Sequence, residues 1–380
     1  MSAGNSNRLL GIVLSGGGAR AAYQVGVLSA IAERAPDLQF QIVTGVSAGA
    51  INALHLAAHP GPFRPAVENL RGEWLRLTPS QVYEVRPTKL ARSVLRGVTN
   101  LVLGRRLAPP SLHGLMHMRP LREFLTRSVD FTGIRRNIES GRLRAAALST
   151  TSYATGDTVS FIDGVDDLRM WARHRRLSVR AAITIDHVMA SAAIPLVFPA
   201  VRIGNAYYGD GSVRQSAPLA PAIHLGARKI IAIAMRARPT ETLGWAERRE
   251  PVYPTAAEVL GTLLHSVFLD ALDADAERLL RINQLIDAVP TDSTLAEPLE
   301  KIALLMVRPS RDVGAMASGL EPRLSLVART ALRSLGGDQG RASGLMSYLL
   351  FEPEYTGLLM ELGHQDAWKQ WLDIERFLAD

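Results

Sequence analysis

The chain contains no cysteine in 380 residues, which excludes disulfides, thiol nucleophiles and thiolate metal sites and leaves the compartment open. Lysine is scarce as well. It occurs only at 89, 229, 301 and 369, so the net charge of +7 rests on arginine. A basic balance of this kind suits nucleic acid, an anionic membrane, a phosphorylated small substrate or merely a genome rich in arginine codons; composition does not choose. Also missing is any run of about 18 uncharged apolar residues, so no segment has to span a bilayer.

What is present is a chain 47% hydrophobic and long enough for one large domain or two smaller ones. Strand and helix signals alternate, which favours an α/β class. Residues 8–14 (RLLGIVL) read as a buried strand halted by Ser15-Gly16-Gly17-Gly18. A single arginine followed by LLGIVLSGGGA has some likeness to an export signal. The apolar run is short and ends in a glycine triplet, so the first strand is the better reading. Apolar positions 21, 22, 25, 28 and 31 predict a helix over 19–34, residues 40–44 (FQIVT) a second strand, and 48–58 a second helix.

Eight prolines and dense basic residues set 60–120 apart as an inserted cap. Within it, 89–106 has the pattern of a helix that packs its apolar side on the domain or dips it into a membrane. Beyond it, strands are predicted at 143–152, 158–163, 200–209, 229–235 and 301–307. Helices are predicted near 186–194, along 255–286 and in two or three segments of 321–380, with an exposed loop at 236–254. The expected organisation is a catalytic unit over 8–310 that carries the cap, and a helical extension over 311–380 packed on it.

Three local patterns carry chemistry. Gly45-Val46-Ser47-Ala48-Gly49 joins a strand to a helix, the setting in which a serine hydroxyl is exposed at the carboxyl edge of a sheet. By itself the pentapeptide is also an ordinary capped turn. Gly16-Gly17-Gly18-Ala19-Arg20 ends a strand and opens a helix, so several backbone N–H groups converge where an anion could sit. A dinucleotide fingerprint fails at Ala21, the sixth position, and no Gly-Lys-Ser/Thr follows, which leaves an oxyanion hole as the better reading. Asp210-Gly211 leaves a strand into a turn. A serine hydroxyl needs a base. His55, His113, His187, His224 and His265 follow the elbow, but none stands in the setting of a triad histidine, and the elbow comes too early for a standard triad. Asp210 is then the candidate base. His113 and His117 lie one helical turn apart without a third ligand nearby, which argues against a metal site.

In this order the three patterns resemble the patatin-like phospholipase family. The likeness is strengthened by Ala190-Ser191-Ala192-Ala193-Ile194-Pro195 followed by Phe198-Pro199, and it covers roughly 8–60 and 143–235. The resemblance implies a three-layer α/β/α fold with a central, mainly parallel sheet. It implies lipid acyl-ester hydrolysis without metal or cofactor. Ser47 is the implied nucleophile, Asp210 its base, Gly16, Gly17 and Gly18 the oxyanion hole, and Gly45 and Gly49 the frame of the elbow. Arg20 supports that loop, binds a substrate phosphate or packs against acidic groups. Acyl transfer, thioester hydrolysis and a non-catalytic regulator at the membrane remain alternatives at this stage. The implied partners are a lipid or acyl-ester substrate and an anionic membrane contacted peripherally, without nucleic acid; a homodimer is compatible. The expected location is cytoplasmic, at the inner membrane face. One departure stands out: Ser212 occupies a position where the family has glycine or alanine.

Overall fold

Short apolar runs bounded by glycine and polar turns become a single ten-stranded sheet in a computed structural model. The model describes residues 9–85, 114, 116–237, 253–288, 300–324, 329 and 343–379. The strands are β1 (Leu10–Leu14), β2 (Ile42–Val46), β3 (Glu84–Val85), β4 (Met116–His117), β5 (Ala145–Ser152), β6 (Thr158–Gly164), β7 (Ala172–Arg173), β8 (Arg176–Arg180), β9 (Val201–Ile203), β10 (Ala206–Asp210), β11 (Lys229–Ile233) and β12 (Ala303–Val307). Their order is β12-β11-β1-β2-β5-β6-β8-β7, with β10 also on β5 and β9 on β10; β3 and β4 pair apart from this sheet. The five strands from β12 to β5 run parallel, while β6 and β10 are antiparallel to β5.

Successive side chains of the central strands enter two different cores, as the period of two along a strand requires. Ile12, Leu14, Val43, Ala146 and Ile231 belong to one core; Val13, Ile42, Ala145, Ala147 and Ile230 belong to the other. The first is covered by α1 (Ala22–Arg34), α2 (Ala48–Ala58) and α3 (Phe63–Arg76) together with the C-terminal helix Pro353–Lys369. The second is covered by the helices Ala220–His224 and Asp270–Ala288. The fold is therefore α/β with helices on both faces of a mainly parallel sheet.

Several boundaries differ from the sequence expectation. The strand expected at 200–209 is a hairpin of β9 and β10, turned at Gly204 with φ of 59°. The helical stretch 255–286 is two helices, Ala256–Phe268 and Asp270–Ala288; Asp270 and Asp273 open the second one, where acidic side chains favour a helix N-terminus. The helix before Pro195 ends at Ser191. Prolines 65, 79 and 120, expected to break the cap, lie in the first turns of helices, where the missing N–H is not needed. The amphipathic stretch 89–106, His113 and most of the loop 236–254 lie outside the described residues.

Candidate active site

The parallel strands β1 and β2 end at the same edge of the sheet, at Leu14 and Val46, so the glycine loop and the elbow begin side by side. Ser47 follows β2 with φ of 55° and ψ of −132°, a backbone conformation that a non-glycine residue holds only when its surroundings over-determine it. The flanking glycines make this turn feasible. A Cβ on Gly49 would overlap the Leu14 and Ser15 carbonyl oxygens, and one on Gly45 would come within 2.5 Å of the Gly49 oxygen. Ser47 also forms the N-cap of α2, so its hydroxyl stands where the helix end favours negative charge.

Asp210 arrives by strand register. On one side of β5, Val46 of β2 pairs with Ser149 and Asp210 of β10 pairs with Thr150. The other side of β5 is occupied by β6. Two strands thus run toward each other along the same flank of β5 and meet end to end, which brings Asp210 to Ser47 across 163 residues of sequence. Asp210 is fully buried, and that burial drives its carboxyl from 3.8 up to about 7; the nearby hydroxyl of Ser47 and the N–H and hydroxyl of Ser212 pull it partway back. The Ser212 N–H donates to Asp210 Oδ1 at 2.9 Å. Oδ2 and Ser212 Oγ make no hydrogen bond of regular geometry among the described residues. The two hydroxyls therefore act on the carboxylate from positions short of a formed bond.

Gly16, Gly17 and Gly18 form the loop above β1. Gly18 takes φ of 57°, and a Cβ there would overlap the Tyr348 carbonyl oxygen. The next amide, Ala19 N–H, is engaged by that same oxygen at 3.0 Å. Among the described residues, the amides of Gly16, Gly17 and Gly18 donate to no acceptor. A Cβ on Gly16 would lie 3.0 Å from Ser47 Cβ and 2.6 Å from Ser212 Oγ, so the loop borders Ser47 directly.

Arg20 is buried, and among the described residues its hydrogen-bond partners are not acidic. Its guanidinium donates to Ser347 Oγ at 2.8 Å and to the Gly344 carbonyl at 3.0 Å, shares a hydrogen bond with His265 Nε2 at 2.8 Å, and lies 4.2 Å from the centre of the Tyr348 ring. Burial and the adjacent Arg20 cation push His265 down to about 4. Arg20 thus ties the glycine loop to the segment 343–351, more than 300 residues away in sequence.

Two further groups complete the site. Ser191 accepts from Ser47 N–H at 3.0 Å and donates to the Ser149 carbonyl at 2.7 Å, pinning the elbow to β5. Its place in Ala190-Ser191-Ala192-Ala193-Ile194-Pro195 was visible in the sequence, but not its partner. A buried polar chain then runs from Trp74 Nε1 to Asn52, from Asn52 to Gln24, and from Gln24 to the Ser15 carbonyl, joining α3, α2 and α1 to the glycine loop.

A narrow cavity of about 50 Å³ opens at Ser47. Its wall is mostly apolar and draws on Ile51 of α2, Leu70 and Trp74 of α3, Phe124 in the helix Arg119–Ser128, Phe198, and Phe351 near the C-terminus. Among the described residues, no helix is long and apolar enough to cross a membrane.

A family model described as "Patatin-like phospholipase" matches residues 12–223, more than half of the chain, and the protein belongs to that family. Among curated proteins none matches the sequence. Solved structures resemble it at low identity. Human GIVD cytosolic phospholipase A2 is 11% identical over 98% of this chain and 60% of its own, with a TM-score of 0.48. VipD from Legionella pneumophila is 12% identical over 90% of this chain and 67% of its own, at 0.31. The type III effector ExoU is 12% identical over 90% and 54%, at 0.32. The chain spans 60% of the length of the human enzyme. Family membership rests on the match over residues 12–223.

Proposed function

We propose that the protein hydrolyses carboxylic esters of lipids through a Ser47–Asp210 dyad and an acyl-serine intermediate. The observation that carries this reading is the end-to-end meeting of β2 and β10 on β5, which brings a strained serine to a buried carboxyl beside the glycine loop. Ser47 Oγ attacks the ester carbonyl while Asp210 takes its proton. The tetrahedral oxyanion is held by N–H groups of Gly16–Gly18, each such donor lowering the barrier by about 3–4 kcal/mol. The proton on Asp210 passes to the leaving alcohol. Water then attacks the acyl-serine as Asp210 accepts its proton, and on collapse of the second tetrahedral species Asp210 returns that proton to Ser47 Oγ as the fatty acid departs.

The apolar cavity at Ser47 supports an acyl chain as the group transferred to the serine. A carboxyl held near neutrality suits a base that must both take and return a proton near pH 7. Strained backbone and a desolvated carboxyl together destabilise a fold, and a regulator without chemistry has no use for either. Exposed Tyr153, Leu196 and Tyr207 lie on segments bordering the site and suit a peripheral encounter with a lipid surface. Fatty-acid release from phospholipid–detergent micelles tests the proposal. Wild-type protein is expected to release acid, and Ser47→Ala and Asp210→Asn to fall at least about a hundredfold. Equal release by either variant overturns the dyad.

A further inference from the structure

The acyl cavity is not apolar throughout. Ala48, Ile51 and His55 lie on successive turns of one face of α2 and line it in that order away from Ser47. Of the other polar side chains on its wall, Glu73 and Ser128 satisfy each other, Ser128 Oγ donating to Glu73 Oε2 at 3.1 Å, and Trp74 Nε1 donates to Asn52, while the buried Tyr348 hydroxyl has no hydrogen-bond partner among the described residues. His55 is the polar group two turns along α2 from Ser47. It is only 5% exposed, its Nε2 is buried, and that nitrogen has no hydrogen-bond partner among the described residues. Burial and the nearby positive charge of His59 push the imidazole down to about 4, with the Asn69 side chain pulling it partway back, so near neutral pH it is an uncharged group whose Nε2 is unused.

A buried polar atom without a partner destabilises its site by about 1–3 kcal/mol and is relieved by any group that completes the bond. An unsubstituted hydrocarbon chain brings none. We propose that His55 makes this cavity a subsite for acyl chains bearing a hydroxyl group at mid-chain, so that hydroxylated fatty-acyl esters are the preferred substrates. This rests on the hydrolase reading above and deepens it. The depth follows from geometry. Eight residues separate Ser47 from His55, or about 12 Å along the helix axis. An extended chain built from bonds of about 1.5 Å advances ~1.3 Å per carbon, which puts His55 near the tenth carbon from the ester. A hydroxyl both donates and accepts, so it satisfies Nε2 in either tautomer.

The test uses 4-nitrophenyl esters of stearic, 3-hydroxystearic and 10-hydroxystearic acid in mixed micelles, with wild type, His55→Leu and His55→Gln. For wild type, kcat/KM for the 10-hydroxy ester should exceed that for stearate about tenfold, the equivalent of about 1.4 kcal/mol, and the 3-hydroxy ester should gain nothing. His55→Leu should abolish or invert that ratio while a fluorophosphonate still labels Ser47 at the wild-type rate, which separates lost selectivity from a damaged fold. His55→Gln should keep part of the preference. Equal kcat/KM for stearate and 10-hydroxystearate in wild type overturns the subsite, as does a preference that survives His55→Leu, and either result leaves the hydrolase reading intact. Turnover of none of the esters, with no labelling of Ser47, removes the hydrolase reading and the subsite with it.

Discussion

Asp210→Asn should separate stability from activity, in a direction that depends on pH. The folded carboxyl titrates at about 7, against 3.8 for the ordinary group. Because the folded value is raised, the folded state holds the proton more tightly. Below about pH 4 both states are protonated and ionisation has no effect on folding. Between about 4 and 7 the unfolded chain ionises first, so stability falls as pH rises; above 7 the loss is complete. A shift of about three units corresponds to about 4 kcal/mol. Asparagine keeps the oxygen that accepts from Ser212 N–H and carries no charge to desolvate. With unfolding entropy near 2.1 cal/mol/K per residue over 380 residues, the variant should melt up to about 5 °C above wild type at pH 8.5 and close to it at pH 4.5. Other titrating groups are common to both proteins and cancel in the difference. Hydrolysis should fall at least about a hundredfold, and wild-type kcat/KM should rise with pH along a limb centred near 7. Scanning calorimetry of the two proteins at the two pH values decides the matter. A variant no more stable than wild type at pH 8.5, or equally stabilised at pH 4.5, refutes the claim that burial holds this carboxyl near neutrality.

Three further substitutions probe the supports of the site. Ser191→Ala strips the partner from Ser47 N–H and should cost about 1–3 kcal/mol in chemical denaturation while lowering kcat more than it changes KM. Gly16→Ala puts a methyl group against Ser212 Oγ and Ser47 Cβ; steady-state assays should show at least a tenfold loss of kcat with an unchanged circular dichroism spectrum. Arg20→Lys replaces a planar fork by a point charge that cannot serve Ser347, Gly344, His265 and the Tyr348 ring together, so its denaturation midpoint should fall by the equivalent of about 2–3 kcal/mol.

The elbow, the glycine loop and Asp210-Gly211 could be read from sequence because each is a local device: glycines where backbones nearly touch, and a serine between a strand and a helix. The central strands were legible for the same reason, being short apolar runs between turn residues. What stayed hidden depends on contacts distant in sequence. No spacing rule links Arg20 to Ser347, or α2 to Phe351 in one cavity wall. β7 and β8 escaped notice because AR and RLSVR are short, half exposed and basic, without the apolar signal of a central strand. Gly204-Asn205, by contrast, carries the signal of a two-residue hairpin turn inside an otherwise strand-like run. Ser212, the departure from the family pattern, serves Asp210 through its backbone N–H, a group that glycine or alanine at that position would supply equally.

The most direct test of the account is the site of covalent capture by an alkyl fluorophosphonate, read by intact mass and peptide mapping. The account predicts a single adduct per chain on the peptide carrying Ser47, with none on Ser47→Ala protein. Wild-type protein left unmodified, or an adduct that persists after Ser47→Ala, contradicts it.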